Sequence, residues 1–370
     1  MKFIDIPGQD EVVQEDIFAS LASIIRRGDF ILGEEVGIFE QEVAAYLGVR
    51  NAITVSSGTD ALVLALKSLD LPSGSEVITT PFTFFATTEA IINAGLKAVY
   101  VDINPQTYNL DPTGLDKALT ENTGAVLPVH LFGQPARMDA ITKWAEGRGL
   151  FVVEDVAQAF GATLMGKKAG TWGELGAFSF YPTKNLGAYG DAGLVVTNND
   201  ERAERIKILR NQGAIAPYRH VMPGMNSRCD TLQAAVLRAK LPHVDKLNEK
   251  RRALAGIYCK ELEDNESLVL PVTALDENHV FHQFTIQAPL RGRLQDFLQE
   301  ADMPTAVYYD RPLHLQDATI DLGYKVGDFP NAESVAGKVL SLPIHPGLDE
   351  KDVRSITGRI KLFLSQMNNV

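Results

Sequence analysis

The chain has 370 residues, 45% hydrophobic and 22% charged, with 35 Lys/Arg against 47 Asp/Glu and a formal net charge of −12. That length predicts roughly two globular domains, and an acidic balance with no Lys/Arg-dense stripe excludes nucleic acid as a partner. No apolar run reaches the ~20 residues needed to span a bilayer, and the amino terminus turns acidic at Asp5 without the long apolar core of a signal peptide, so the expected setting is the cytoplasm.

Short β-branched runs at 52–55, 76–80, 98–101, 125–129, 150–153, 177–181 and 194–197 read as strands. Several are nearly continuous apolar runs, the pattern of strands covered on both faces. Helices are predicted between them at 59–68, 84–94, 138–148 and 200–211. The alternation predicts an α/β fold with a mainly parallel central sheet, whose ligands bind at the carboxyl ends of strands. From 230 to 262 the pattern is helical, interrupted at Pro242. Beyond it a strand at 283–287 and helices at 290–300 and 350–365 predict a smaller α+β unit. The expected division is 1–245, a large cofactor-binding domain with an N-terminal arm, and 246–370, a small C-terminal domain. Cys229 and Cys259 fall in the helical stretch with no CxxC or metal-ligand spacing, and read as thiols in a reducing compartment.

The stretch with most chemical content is 154–193. One strand ends in Glu154-Asp155-Val156-Ala157-Gln158, and the next in Ser179-Phe180-Tyr181-Pro182-Thr183-Lys184, just before a Gly-rich run. Both Asp155 and Lys184 are expected just beyond strand ends. A carboxylate at one strand end and a lysine after the next is the pair that pyridoxal phosphate (PLP) needs. The aldehyde takes a lysine as Schiff base, and the pyridine nitrogen takes an anion that keeps it protonated, so that the ring acts as an electron sink. Alone, the Asp would be a helix cap and the Lys a solvated side chain. Gln158 and Ser179 tilt the reading toward a ligand, as does the turn Ser56-Ser57-Gly58-Thr59-Asp60 opening a helix, where free N–H groups and the helix dipole suit a phosphate. Phe84 is placed to stack on a ring, although Phe82, Phe84 and Phe85 taken singly read as core. His130, His282, His314, His345, Arg311 and the loop Tyr218-Arg219-His220 are weaker candidates, and no metal is assigned.

Taken together, Ser-Gly-Thr-Asp-Ala-Leu, Thr-Pro-Phe-Thr-Phe-Phe-Ala-Thr, Pro-Val-His-Leu-Phe-Gly-Gln, Glu-Asp-Val-Ala-Gln-Ala-Phe-Gly-Ala, Ser-Phe-Tyr-Pro-Thr-Lys-Asn-Leu-Gly and Gly-Met-Asn-Ser-Arg-Cys-Asp resemble the DegT/DnrJ/EryC1/StrS sugar aminotransferases, in order and over nearly the whole chain. The resemblance implies the PLP-dependent fold type I of aspartate aminotransferase and a homodimer with shared active sites. It also implies transfer of an amino group from glutamate to a nucleoside-diphosphate-linked keto-sugar. By the same resemblance, Lys184 is the Schiff-base lysine, Asp155 the partner of the pyridine nitrogen and Gln158 the contact to the ring hydroxyl. Gly58, Thr59 and Ser179 bind phosphate, Phe84 stacks on the ring, and Asn226 reaches the phosphate from the neighbouring subunit. Arg228, Arg219, Tyr308 and Tyr309 are candidate substrate contacts, and Tyr308 departs from relatives that carry His there. The competing readings are a non-catalytic PLP-binding regulator and a PLP-dependent sugar dehydratase. The dehydratase branch has His in place of the lysine, and the chain has Lys184.

Overall fold

A computed structural model describes residues 1–367. Seven strands form one sheet in the spatial order Asn51–Val55, Gly193–Thr197, Leu175–Ser179, Phe151–Asp155, Thr123–Val126, Glu76–Thr79, Lys97–Tyr100. Gly193–Thr197 runs antiparallel to both neighbours, and every other pairing is parallel. The apolar runs behave as strands covered on both faces require: Ile53, Val77, Ile78, Val126, Val153 and Val195 are all fully buried. Helix Gly58–Ser68 is sealed almost all round, with 61–66 buried without interruption. It carries no amphipathic stripe because it lies between the sheet and further helices, and its N-terminus is thereby fixed at the carboxyl end of the first strand.

Two features depart from expectation. Asp155 is the last residue of its strand rather than a residue beyond it. Cys229 precedes helix Thr231–Lys240 instead of lying in it, while Cys259 lies in helix Val244–Leu262. Pro242 does break the helical stretch, through a short 3-10 turn at Leu241–His243. It stands where a missing N–H is tolerated.

A second apolar cluster gathers Leu254, Tyr258, Phe284, Leu294, Leu342, Ile356 and Ile360 around the antiparallel pair Phe284–Gln287 and Val339–Leu342. Residues 329–339 cross back to the large sheet. Phe329, Ala332 and Val335 pack in the cluster that holds Tyr100 and Ile103, and Asp102 receives the N–H groups of Asn331 and Ala332 at 2.9 Å each. No helix among the described residues is long and apolar enough to cross a membrane.

Candidate active site

One cavity of about 500 Å³ opens at the carboxyl ends of the central strands. Asp155, Gln158, Ser179 and Lys184 line it, as do Gly58, Thr59 and Phe84. Tyr308 and Tyr309 close it from the C-terminal region. Nine of the residues singled out from the sequence, spread over 250 positions, therefore meet in one place.

Asp155 sits on the cavity floor, 4% exposed. Its Oδ1 accepts from the Ala157 N–H (3.1 Å) and its Oδ2 from the Thr87 hydroxyl (2.8 Å). Burial raises its carboxyl pKa, against the pull of those two donors and of the Lys184 charge. Lys184 is half-buried in the turn after strand Leu175–Ser179, and its ammonium has no hydrogen bond or ion pair among the described residues. Burial pushes its pKa down to about 8, with Asp155 pulling the other way. A lysine that surrenders its proton near neutrality is what amine exchange at an aldehyde requires.

Opposite Asp155, Ser57 caps helix Gly58–Ser68 through its hydroxyl, which accepts the Asp60 N–H at 3.1 Å. The Gly58 and Thr59 N–H groups are left for a ligand. A Cβ on Gly58 would stand 2.5 Å from Ser179 Cβ, so only glycine lets the helix start lie against the Ser179 hydroxyl. Phe84 is 59% exposed, which overturns the core reading for it and leaves its ring bare at the cavity wall, whereas Phe82 is fully buried. The Phe84 and Tyr309 rings lie 6.3 Å apart. Gln158 is held at both ends, its Oε1 accepting the Phe132 N–H (2.7 Å) and its Nε2 donating to the Tyr309 hydroxyl (3.2 Å). Amide donors with a hydroxyl at one end, a carboxylate at the other and a lone lysine between them fit a phosphate, a ring nitrogen and an aldehyde.

Asn226, Arg228 and Arg219 lie outside this cavity. Asn226 bridges to Asn211, Arg228 donates to the Asn211 side chain at 3.0 Å, and Arg219 is exposed on the short strand Arg219–His220. His130 is fully buried beneath the site. Its Nδ1 accepts the Ala136 N–H (2.9 Å), so its Nε2 donates to Glu154 (3.0 Å). Glu154 in turn receives the N–H groups of Gly170, Trp172 and Gly173. His314 pairs with Glu333, Arg311 pairs with Asp317 at the surface, and no described cluster of His, Cys, Asp and Glu could hold a metal ion. Sequence reasoning missed Thr87 and kept His282 only as a weak candidate in the smaller domain, without metal spacing, yet His282 lines the cavity. Thr87 was within reach: it lies three residues after Phe84, in the first turn of the helix Ala86–Asn93 that follows it.

The model of the DegT/DnrJ/EryC1/StrS aminotransferase family matches residues 11–361. A Geobacillus stearothermophilus protein named "Pleiotropic regulatory protein" is 45% identical over 97% of each chain. The dTDP-3-amino-3,4,6-trideoxy-alpha-D-glucose transaminase of Streptomyces venezuelae is 41% identical, covering 99% of this chain and 97% of its own. Among solved structures, S. venezuelae DesV in complex with a ketimine intermediate superposes with a TM-score of 0.95 at 41% identity, covering 98% of both chains.

Proposed function

The chain belongs to the DegT/DnrJ/EryC1/StrS aminotransferase family, a PLP-dependent enzyme of fold type I, and from that premise we propose that it carries an amino group from L-glutamate to a nucleoside-diphosphate-linked keto-sugar. The observation that carries the proposal is the convergence of Lys184, Asp155 and the Gly58–Ser179 contact on one cavity. The name of the S. venezuelae relative puts the amino group on C3 of its sugar, which makes a 3-keto sugar the first acceptor to try.

PLP, when bound, supplies an aldehyde that captures amines and a ring that accepts electrons. The Gly58 and Thr59 N–H groups and the Ser179 hydroxyl would hold its phosphate. The Asp155 carboxylate, oriented by Thr87 and Ala157, would keep the ring nitrogen protonated. Phe84 would stack on the ring, and Gln158, braced by Tyr309, would meet the ring hydroxyl. Lys184 Nζ would take and hold the proton from the amino donor's Cα, which a pKa of about 8 permits near neutral pH. Tyr308 lines the cavity, and Arg228 and Arg219, which lie outside it in their own subunit, would meet substrate only across a subunit interface.

Asn226 is assigned to the partner's site in a homodimer. Supporting that, Phe18, Ile25, Phe30 and Ile31 are 44 to 62% exposed in the single subunit and lie in one N-terminal stretch. The chain is read as 1–245 and 246–370, the last three residues lying outside those described, and as working in the reducing cytoplasm.

The name of the Geobacillus relative raises the regulator reading. Regulation without turnover needs no lysine poised near neutrality over a buried carboxylate. Incubation with glutamate should convert the cofactor to its aminated form, and a panel of nucleotide keto-sugars should then reveal the acceptor by the mass of the aminated product. Lys184→Ala should abolish both the conversion and the borohydride-reducible link to the chain. Mapping the reduced pyridoxyl group to another lysine would overturn the assignment.

A further inference from the structure

Beside Lys184 runs a chain of side-chain hydrogen bonds with no part in the chemistry above. Asn248 Nδ2 donates to the Phe160 carbonyl (3.1 Å), which leaves Asn248 Oδ1 to accept from Asn185 Nδ2 (2.7 Å). Asn185 Nδ2 donates as well to the Val280 carbonyl (3.1 Å). A backbone carbonyl only accepts, so each amide is oriented by an unambiguous partner, and the atom that Asn185 turns toward His282 Nδ1, 3.1 Å away, is its oxygen. His282 Nδ1 therefore carries the proton.

Burial holds this imidazole well below the usual 6.5, and the two charged groups acting on it, Lys184 and Arg251, push the same way. Arg251 is occupied by the Phe281 and Ile344 carbonyls. A neutral ring protonated on Nδ1 has a bare lone pair on Nε2. That nitrogen has no partner among the described residues, and it is not one of the sealed, unpaired atoms of the interior. The ring is 6% exposed, and it lines the cavity that Lys184 lines.

The backbone around His282 is equally fixed. Val280 N–H donates to the Gly133 carbonyl (3.0 Å) and Gln283 N–H to the Phe132 carbonyl (3.2 Å). Gly133 has φ +100°, and a Cβ there would stand 2.9 Å from the His282 backbone nitrogen. An acceptor held this firmly, lining the same cavity as a lysine with N–H donors and no partner, has an evident use.

We propose that His282 is a positioning residue for Lys184, its Nε2 accepting an N–H from the lysine once that side chain has been released within the cofactor-filled site, and so fixing where Nζ waits and where its lone pair points. The proposal rests on the reading of Lys184 as the cofactor lysine. A lysine side chain loses much rotamer freedom when held, and one oriented acceptor keeps the amine at the reacting carbon instead of at the cavity mouth.

The test uses the holoenzyme loaded with pyridoxamine phosphate, in which Lys184 is free. With ¹⁵N-labelled histidine, and with His282→Gln to identify the resonance, residue 282 should show a protonated Nδ1 and an unprotonated Nε2 between pH 6 and 8. The Nε2 signal should shift in Lys184→Ala. A ring protonated on Nε2, an imidazolium in that range, or an Nε2 signal indifferent to Lys184→Ala would each overturn the proposal. In the glutamate half-reaction, His282→Phe keeps the ring volume and removes the acceptor, and should slow the rate about ten-fold, the worth of one hydrogen bond, with glutamate affinity unchanged. His282→Gln offers an amide oxygen near the Nε2 position and should recover most of that loss. Equal losses in both variants would make the residue structural and refute the idea. Should the wild-type enzyme not react with glutamate at all, it is the donor assignment that falls, and the resonance measurements still decide the hydrogen bond.

Discussion

Thr87→Val isolates one donor to the buried carboxylate. The substitution conserves volume, removes the 2.8 Å bond to Asp155 Oδ2, and leaves the Ala157 N–H as the sole donor to that group. A hydrogen bond to a charged group contributes about 1.5–3 kcal/mol, and each pKa unit corresponds to about 1.36 kcal/mol, so the Asp155 carboxyl should rise by about 1–2 units. Its pKa is already raised by burial, and the variant moves it further in the same direction. The acid limb of the glutamate half-reaction, followed by stopped-flow absorbance, should therefore move to higher pH by about 1–2 units. Stability follows the same sign. A carboxyl whose folded-state pKa is raised gives its full stability below the unfolded value of 3.8 and loses it as pH rises through the folded value. Apo Thr87→Val should thus unfold in less urea than wild type at pH 8, the difference closing as Asp155 is protonated. Thr87→Ser, which keeps the hydroxyl, should track wild type in both assays. A Thr87→Val enzyme whose pH profile and urea midpoints overlay those of wild type would refute the role given to this bond.

Gly58→Ala should weaken PLP binding by roughly 5- to 150-fold, the equivalent of about 1–3 kcal/mol of overpacking, because the new methyl displaces Ser179. An absorbance titration giving the wild-type Kd would remove the phosphate assignment. Glu154→Ala deprives the His130 ring and the Gly170, Trp172 and Gly173 amides of their acceptor. It should cost about 3–5 kcal/mol in chemical denaturation, and a loss below about 1 kcal/mol would show the carboxylate to be dispensable. Mixing Lys184→Ala with a strongly impaired Asn226 variant should restore a fraction of activity, since a hybrid dimer has one site free of both defects. No recovery, with hybrids confirmed by native mass spectrometry, would place Asn226 in its own subunit's site or in neither.

Most of the sheet was legible because buried parallel strands are written as apolar runs. The expected and observed strands differ by a few residues at their ends, as at Leu175–Ser179, expected at 177–181. The N-terminal helices Gln14–Arg27 and Glu34–Leu47 were not read. In the first of them, apolar residues lie on the face buried within the subunit (Ile17, Ile24) and also on the exposed face (Phe18, Ile25), which blurs the period a single face would show. Strand Val339–Leu342 is only four buried residues, too short to separate from a helical turn by pattern alone, although Gly337 and Pro343 flank it. Within the site, residues carried by local motifs were legible because strand end, turn and helix start are consecutive in the chain. His282 was not. It reaches the cavity only because its backbone is bonded to Phe132 and Gly133, about 150 positions earlier, and no local spacing encodes such a contact.

The return of residues 329–339 to the large sheet sets a timetable for the molecule's birth. Tyr100 and Ile103 are made early, but their partners Phe329, Ala332 and Val335 leave the ribosome only when nearly nine-tenths of the chain has been synthesised. Until then one flank of the sheet presents bare apolar surface, and the N–H groups that Asp102 will cap do not exist. Domains tend to fold as units in the order of synthesis, but this flank of the sheet should wait for residues 329–339. A nascent chain stalled at residue 320 should accordingly carry the lysine, the carboxylate and the phosphate turn, and still be a client for chaperones.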